Sequence, residues 1–138
     1  KKLKKNIKLR ENNFRKLSTF LKKYKKYFIL PEQLKGSKTG WLAYPLTIRE
    51  GSPFTRTDMQ IFLEKRNIQT RVVFTGNILR QPGFRKIKCK TSKKGYPQAD
   101  KVMRNGILIG CHQGMTDAMM KHLTSSINKF ILSYSKTI

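Results

Sequence analysis

The stretch QTRVVFTGNILRQPGF, residues 69–84, gathers more hydrogen-bonding side chains than a simple connection between strands requires. Arg71 lies on an alternating apolar segment, and the loop that follows carries the Asn77 amide, the planar fork of Arg80 and the Gln81 amide. A guanidinium can grip a phosphate through two parallel hydrogen bonds, while amides both donate to and accept from sugar hydroxyls. The set therefore suits a phosphorylated or polyhydroxylated small ligand. The same residues also describe a polar surface loop with solvated arginines, and side-chain type alone leaves both readings open.

Catalysis by these residues alone is not expected. It would need a nucleophile beside a base, paired carboxylates or a set of metal ligands. The chain offers seven scattered Asp and Glu and two histidines, and its glycines follow neither the GxGxxG nor the Walker pattern. GCHQG, residues 110–114, reads as a turn with a permissive backbone. Cys89 and Cys111 lack the spacing of a zinc or iron-sulfur site, even with His112 adjacent and with the distant His122 counted, and read as two reduced thiols of a cytoplasmic protein.

Charge is the strongest compositional signal: 31 Lys and Arg against 7 Asp and Glu give a net charge of +24. Such an excess attracts polyanions, so non-specific polyanion binding is expected and a nucleic-acid-binding module is a rival reading. Against that module, no RNP, KH or zinc-finger signature is present. KKYKKYF interleaves aromatics with lysines, but Tyr24 and Phe28 are already needed for burial. No apolar run approaches the length of a membrane span, so no membrane partner is expected, and the basic start is not followed by a signal-peptide core. The chain opens at Lys1 rather than Met, which is expected of a piece of a longer polypeptide.

These residues must be held by a scaffold, and its elements follow from hydrophobic periodicity. Leu3, Ile7, Phe14, Leu17, Leu21, Tyr24 and Phe28 step by threes and fours, with Arg10 in one apolar slot, predicting an amphipathic helix over residues 1–30 that stops before Pro31. Leu42, Tyr44, Leu46 and Ile48 alternate as a strand with one buried face, in which Pro45 predicts an edge position or a bulge. Thr55 and Asp58 form a capping box for a short helix that buries Met59, Phe62 and Leu63 and closes near Asn67. Residues 69–75 read as a second strand, sending Arg71, Val73 and Thr75 to one face and Val72 and Phe74 to the other. NGILIGC is a third strand, and Thr116 caps a last helix with a stripe of Met120, Leu123, Ile127, Phe130, Ile131 and Tyr134. The order αβαββα makes an α+β domain, a small antiparallel sheet covered by helices, with residues 41–138 forming the sandwich.

Three segments together carry a resemblance: NNFRKLSTFL, GWLAYPLTIREGSPFTRTDMQIFLEKRNIQTRVVFTGNILRQPGF and ADKVMRNGILIGCHQGMT. In this order they resemble the C-terminal small domain of the DegT/DnrJ/StrS family of pyridoxal-phosphate sugar aminotransferases and dehydratases. IQTR continuing through GNILRQP is similar to the branch that removes the 3-hydroxyl from a nucleotide-linked 4-keto-6-deoxyhexose in deoxysugar and lipopolysaccharide biosynthesis. Aminotransferase members carry a His-Tyr pair where Phe74 and Thr75 stand here, which favours the dehydratase branch over an aminotransferase.

The resemblance implies that residues 1–138 are a single C-terminal domain, that a large domain outside it binds pyridoxal or pyridoxamine phosphate, and that the whole protein is a homodimer. It implies that Arg71, Phe74, Thr75, Asn77, Arg80 and Gln81 line the nucleotide-sugar pocket, and that His112 belongs to a mostly structural turn. It also implies that the catalytic Lys or His lies elsewhere. An iron-sulfur cluster and a reductase partner accompany some dehydratases, and this segment shows neither.

Overall fold

Tyr44, Leu46 and Ile48 point to the interior from the strand Ala43–Ile48, here β2, and all three are buried. This chain, described by a computed structural model over residues 2–135, builds its sheet around that strand. The sheet has the antiparallel order β1-β2-β4-β3, with β1 at Phe28–Ile29, β3 at Thr70–Val72 and β4 at Gly106–Gly110. The β2–β4 register sets Tyr44 opposite Ile109 and Leu46 opposite Ile107, so one face is continuous hydrocarbon.

Helices α1 (Leu3–Leu21), α2 (Arg56–Glu64) and α4 (Asp117–Ser135) cover that face. Their buried residues include Leu17 and Leu21, Met59 and Leu63, and Met120, Leu123, Ile127, Phe130 and Ile131. The expected α+β class holds, and the α4 stripe is the one the periodicity predicts, with Tyr134 half-buried at its end. Both halves of the Thr55–Asp58 capping box form, and the Thr116 hydroxyl accepts from the Met119 N–H at 3.2 Å.

Four expectations are corrected. The first helix does not run to residue 30: it ends at Leu21, tightens through a 3-10 turn at Lys22–Tyr24, and gives way to β1. Phe28 leaves the helical stripe because its backbone pairs with Ile48 and its ring lies beside Phe54. The apolar slot occupied by Arg10 is bridged instead of buried, since its Nε donates to Gln113 Oε1 at 2.7 Å and its Nη1 to the Gly40 carbonyl at 3.3 Å.

Second, β2 is an inner strand despite Pro45. Proline is tolerated because β1 pairs only with Thr47 and Ile48, leaving Pro45 a partner strand on one side alone. Leu42 lies before the ladder and is exposed, so the burial alternation begins at Tyr44.

Third, the strand predicted for 69–75 stops at Val72. Phe74 adopts φ 46°, its N–H returns to the Val72 carbonyl at 2.9 Å, and Gly76 at φ 61° completes the turn. Val73, Phe74 and Thr75 therefore do not continue the two-faced pattern. Gly76 is required twice over, because a Cβ there would stand 2.3 Å from Met103 Cβ.

Fourth, the polar stretch before β4 hides helix α3, Pro97–Asn105, so the order is αββαβαβα. Proline at its first turn is the local start signal, since its missing N–H would have no intrahelical partner there.

Leu46→Ala should cost about 2–5 kcal/mol of stability by chemical denaturation, because a fully buried side chain leaves a cavity. Leu42→Ala should cost less than about 0.5 kcal/mol. Equal losses would place Leu42 back on the buried face.

Candidate functional site

The loop after β3 is organised by a residue that the sequence did not single out. Asp100, on α3, is buried, and its carboxylate accepts three hydrogen bonds from side chains in that loop. Asn77 Nδ2 donates to Asp100 Oδ1 at 2.8 Å, while Arg80 Nε and Nη2 donate to Oδ1 and Oδ2 at 3.1 Å each. The two-bond contact with Arg80 fixes the guanidinium plane, and Asn77 closes the third side. Asn77 Oδ1 in turn accepts from the Leu79 N–H at 3.1 Å, capping a short turn at Ile78–Arg80.

Electrostatics agree with this geometry. The Arg80 guanidinium first, and the Asn77 amide next, hold the Asp100 carboxyl below its ordinary value, and the same contact raises the Arg80 value. Arg80 remains 64% exposed at its side chain against 12% for Asp100, so one edge of the guanidinium is fixed while the other faces solvent. A cavity of about 250 Å3 opens beside this cluster, lined by Asn77, Leu79, Arg80, Thr91, Ser92, Gly95 and Tyr96.

The six expected residues do not form one wall. Gln81 braces the turn, donating from Nε2 to the Thr75 carbonyl at 2.9 Å, and the Thr75 side chain is exposed. Phe74 projects outward, 85% exposed. Arg71 is separated from the others: β3 register places it opposite Leu108, and it lines a different hollow with Glu64, Asn67 and Gln69. Among the described residues Arg71 has no ion pair, so its positive charge is free. The separation follows from the early end of β3, because the turn at Phe74 redirects the chain before Asn77.

A larger apolar cleft, about 490 Å3, lies between Ile68 and the start of α4 and includes His112, His122, Met115 and Met119. It contains none of the six expected residues. His112 Nδ1 accepts from the Gly114 N–H at 3.1 Å, and Asn13 Nδ2 donates to the His112 carbonyl at 2.8 Å. The turn expected from glycine is therefore shaped by histidine, and neither Gly110 nor Gly114 has a positive φ.

Among the described residues no cluster of three or more His, Cys, Asp or Glu could hold a metal ion. Burial pushes the Cys111 thiol up to about 11, while Cys89 is exposed. No helix among them is long and apolar enough to cross a membrane.

A four-stranded antiparallel sheet under three helices, with an arginine-and-amide loop between β3 and β4, is an α+β fold. The chain belongs to the DegT/DnrJ/EryC1/StrS aminotransferase family, which matches residues 1–128. It is 29% identical over 124 residues to the lipopolysaccharide biosynthesis protein RfbH of Salmonella typhimurium, covering 90% of this chain and 28% of that protein. It is 33% identical over 107 residues to the dTDP-4-dehydro-2,6-dideoxy-D-glucose 3-dehydratase of Saccharopolyspora spinosa, covering 78% of this chain and 23% of that enzyme.

In fold it resembles a GDP-4-keto-6-deoxymannose-3-dehydratase mutant with bound GDP-perosamine, at TM-score 0.77 and 23% identity over 91% of this chain and 32% of that one. The chain thus spans about a quarter of the length of the curated relatives it matches.

A carboxylate with a lowered folded value stabilises fully above its unfolded value and loses that contribution as pH falls through the folded one. The wild type should therefore lose stability below pH 3.8 more steeply than Asp100→Asn, which lacks the contribution at every pH. Parallel acid-denaturation curves for the two would show that the carboxylate carries no stability.

Proposed function

We propose that this chain is the C-terminal domain of a nucleotide-sugar 3-dehydratase acting on a nucleotide-linked 4-keto-6-deoxyhexose in deoxysugar or lipopolysaccharide biosynthesis. The observation that carries the reading is the kinship with relatives named as 3-dehydratases of 4-keto and 4-dehydro sugars, spread over most of the chain.

The residues present do not fit the cofactor itself. No lysine among the described residues is buried, and the one buried carboxylate, Asp100, is committed to Arg80 and Asn77. Pyridoxal or pyridoxamine phosphate would accordingly be held by polypeptide outside this chain, where it would supply an electron sink. The base that moves the proton belongs there as well.

This chain's part is recognition. The open edge of Arg80, fixed in plane by Asp100, offers N–H donors to an anionic oxygen, and exposed Phe74 offers an apolar face to a sugar or base. Arg71 is a free cation on the separate β3 edge, suited to a second anionic contact if substrate spans the turn. Asn77, Gln81 and Thr75 act chiefly by shaping the loop. Exposed Phe74 and the short chain relative to its relatives also support a covering surface from the large domain or from the second subunit of a homodimer. A cytoplasmic setting and, for some members, a reductase and an iron-sulfur cluster fit the same reading, the cluster being held elsewhere.

An aminotransferase of the same family is the second reading. It is favoured by the family itself, which is described as one of aminotransferases. Product analysis separates the two: the full-length protein should yield a 3-deoxy sugar, whereas a 4-amino sugar that keeps its 3-hydroxyl would establish the aminotransferase.

In the same assay the isolated chain should give no turnover. Arg80→Ala in the full-length protein should raise KM about tenfold or more, the scale of one charged hydrogen bond. An unchanged KM would remove Arg80 from the pocket.

A further inference from the structure

The segment that follows the candidate loop lends Thr91 and Ser92 to the cavity beside it, but its cations have no role in the site as described. Residues 85–94 carry Arg85, Lys86, Lys88, Lys90, Lys93 and Lys94, and no acidic residue lies between Glu64 and Asp100. Every residue from 82 to 98 is exposed, and among the described residues none of the six cations joins an ion pair. Six like charges in ten residues repel one another, and a bound anion relieves that repulsion.

The segment does not trail into solvent away from the site. Its end folds back: the Gly95 N–H donates to the Ser92 carbonyl at 3.0 Å, and the Ser92 N–H donates to the Tyr96 hydroxyl at 3.1 Å. Gly95 at φ 66° permits that turn. The turn sets Thr91, Ser92 and Tyr96 on the wall of the cavity of about 250 Å3 that Asn77 and Arg80 line from the other side. Hydroxyls, an amide and the open edge of a guanidinium thus surround a small hollow at the base of a lysine-rich loop.

We propose that residues 85–94 form a cationic flap that captures the diphosphate of a nucleoside diphosphate sugar, with Thr91, Ser92 and Arg80 at its base. The proposal rests on the nucleotide-sugar reading for the identity of the ligand, and on charge and position for the site. The hollow is smaller than the roughly 300–1,000 Å3 of a site that encloses a whole small ligand, so it suits the charged bridge of the substrate. A nucleic acid is disfavoured as occupant because Phe84 and Tyr96 stand only at the two ends of the segment, and no aromatic side chain within residues 85–94 continues a stacking surface between them. Lysines on flexible stems provide attraction and on-rate, and Arg80, already held in plane by Asp100, provides orientation.

The test uses the full-length protein and calorimetric binding of inorganic pyrophosphate, GDP and guanosine. The wild type is compared with the triple variant Lys88→Gln, Lys90→Gln, Lys93→Gln, and with a control of equal charge loss on α1, Lys4→Gln, Lys5→Gln, Lys8→Gln. The loop variant should weaken pyrophosphate and GDP about tenfold and flatten the salt dependence of their binding, while the control stays within about twofold. Guanosine, lacking the diphosphate, should be unaffected by either. Equal weakening by both variants would reduce the effect to net charge and overturn the proposal, as would unchanged binding in the loop variant. A single-stranded oligouridine held by the same three lysines more tightly than GDP would also overturn it.

Dehydration is read separately in each variant. Loss of pyrophosphate binding in the loop variant of a protein that dehydrates no sugar would leave the flap standing and remove only the assigned reaction.

Discussion

A buried carboxylate that accepts three hydrogen bonds from one short loop is the constraint on which the candidate site depends. Removing Asp100 from water is costly unless its oxygens are satisfied, and Asn77 and Arg80 satisfy them from two positions of the same turn. The arrangement works in both directions. The loop neutralises the carboxylate, and the carboxylate selects one orientation of a long arginine that would otherwise sample many rotamers. α3 supplies this anchor while leading directly into β4, so the loop, which leaves the edge strand β3, is tied to an inner strand as well.

The hydrophobic layer beneath makes that anchor rigid. β2 and β4 present buried residues to three helices, and Phe54, Phe130 and Tyr134 join α4 to the connection before α2 through close ring contacts. Gly76 and Gly106 are points where a side chain would collide with α3, at Met103 and at the Val102 carbonyl respectively, so the helix is packed close against the loop and strand that flank it. The +24 charge is kept off this interior, on α1, on the turn after it and on the segment following the candidate loop.

Much of the scaffold was legible in the sequence, and the misses share causes. The α4 stripe and the Thr55 cap were readable because they are local: helical spacing and a three-residue capping pair need no distant partner. Helical spacing at Tyr24 and Phe28 extends the first helix in the sequence beyond its true end, whereas the pairing of Phe28 with Ile48 is a contact between distant segments. Strand β3 ends earlier than its pattern for a related reason, since alternation through Thr75 is regular in sequence while Phe74 takes a left-handed backbone. Asn77 and Arg80 were recognised as belonging together, but as ligand-facing groups; their common acceptor lies 20 or more positions away on a helix with few apolar residues. Pro97 followed by Asp100 was the available signal for that helix. Arg71 was grouped with them by closeness in sequence, which the turn undoes.

The Asp100 carboxylate, more than the turn's own hydrogen bonds, holds residues 77–80 in place. Amide hydrogen exchange tests it most directly. In the wild type the Leu79 amide, bonded to Asn77 Oδ1, should be protected, and in Asp100→Ala that protection should vanish while Ile107 and Ile109 in β4 keep theirs. Retained protection at Leu79 in the variant would contradict the account.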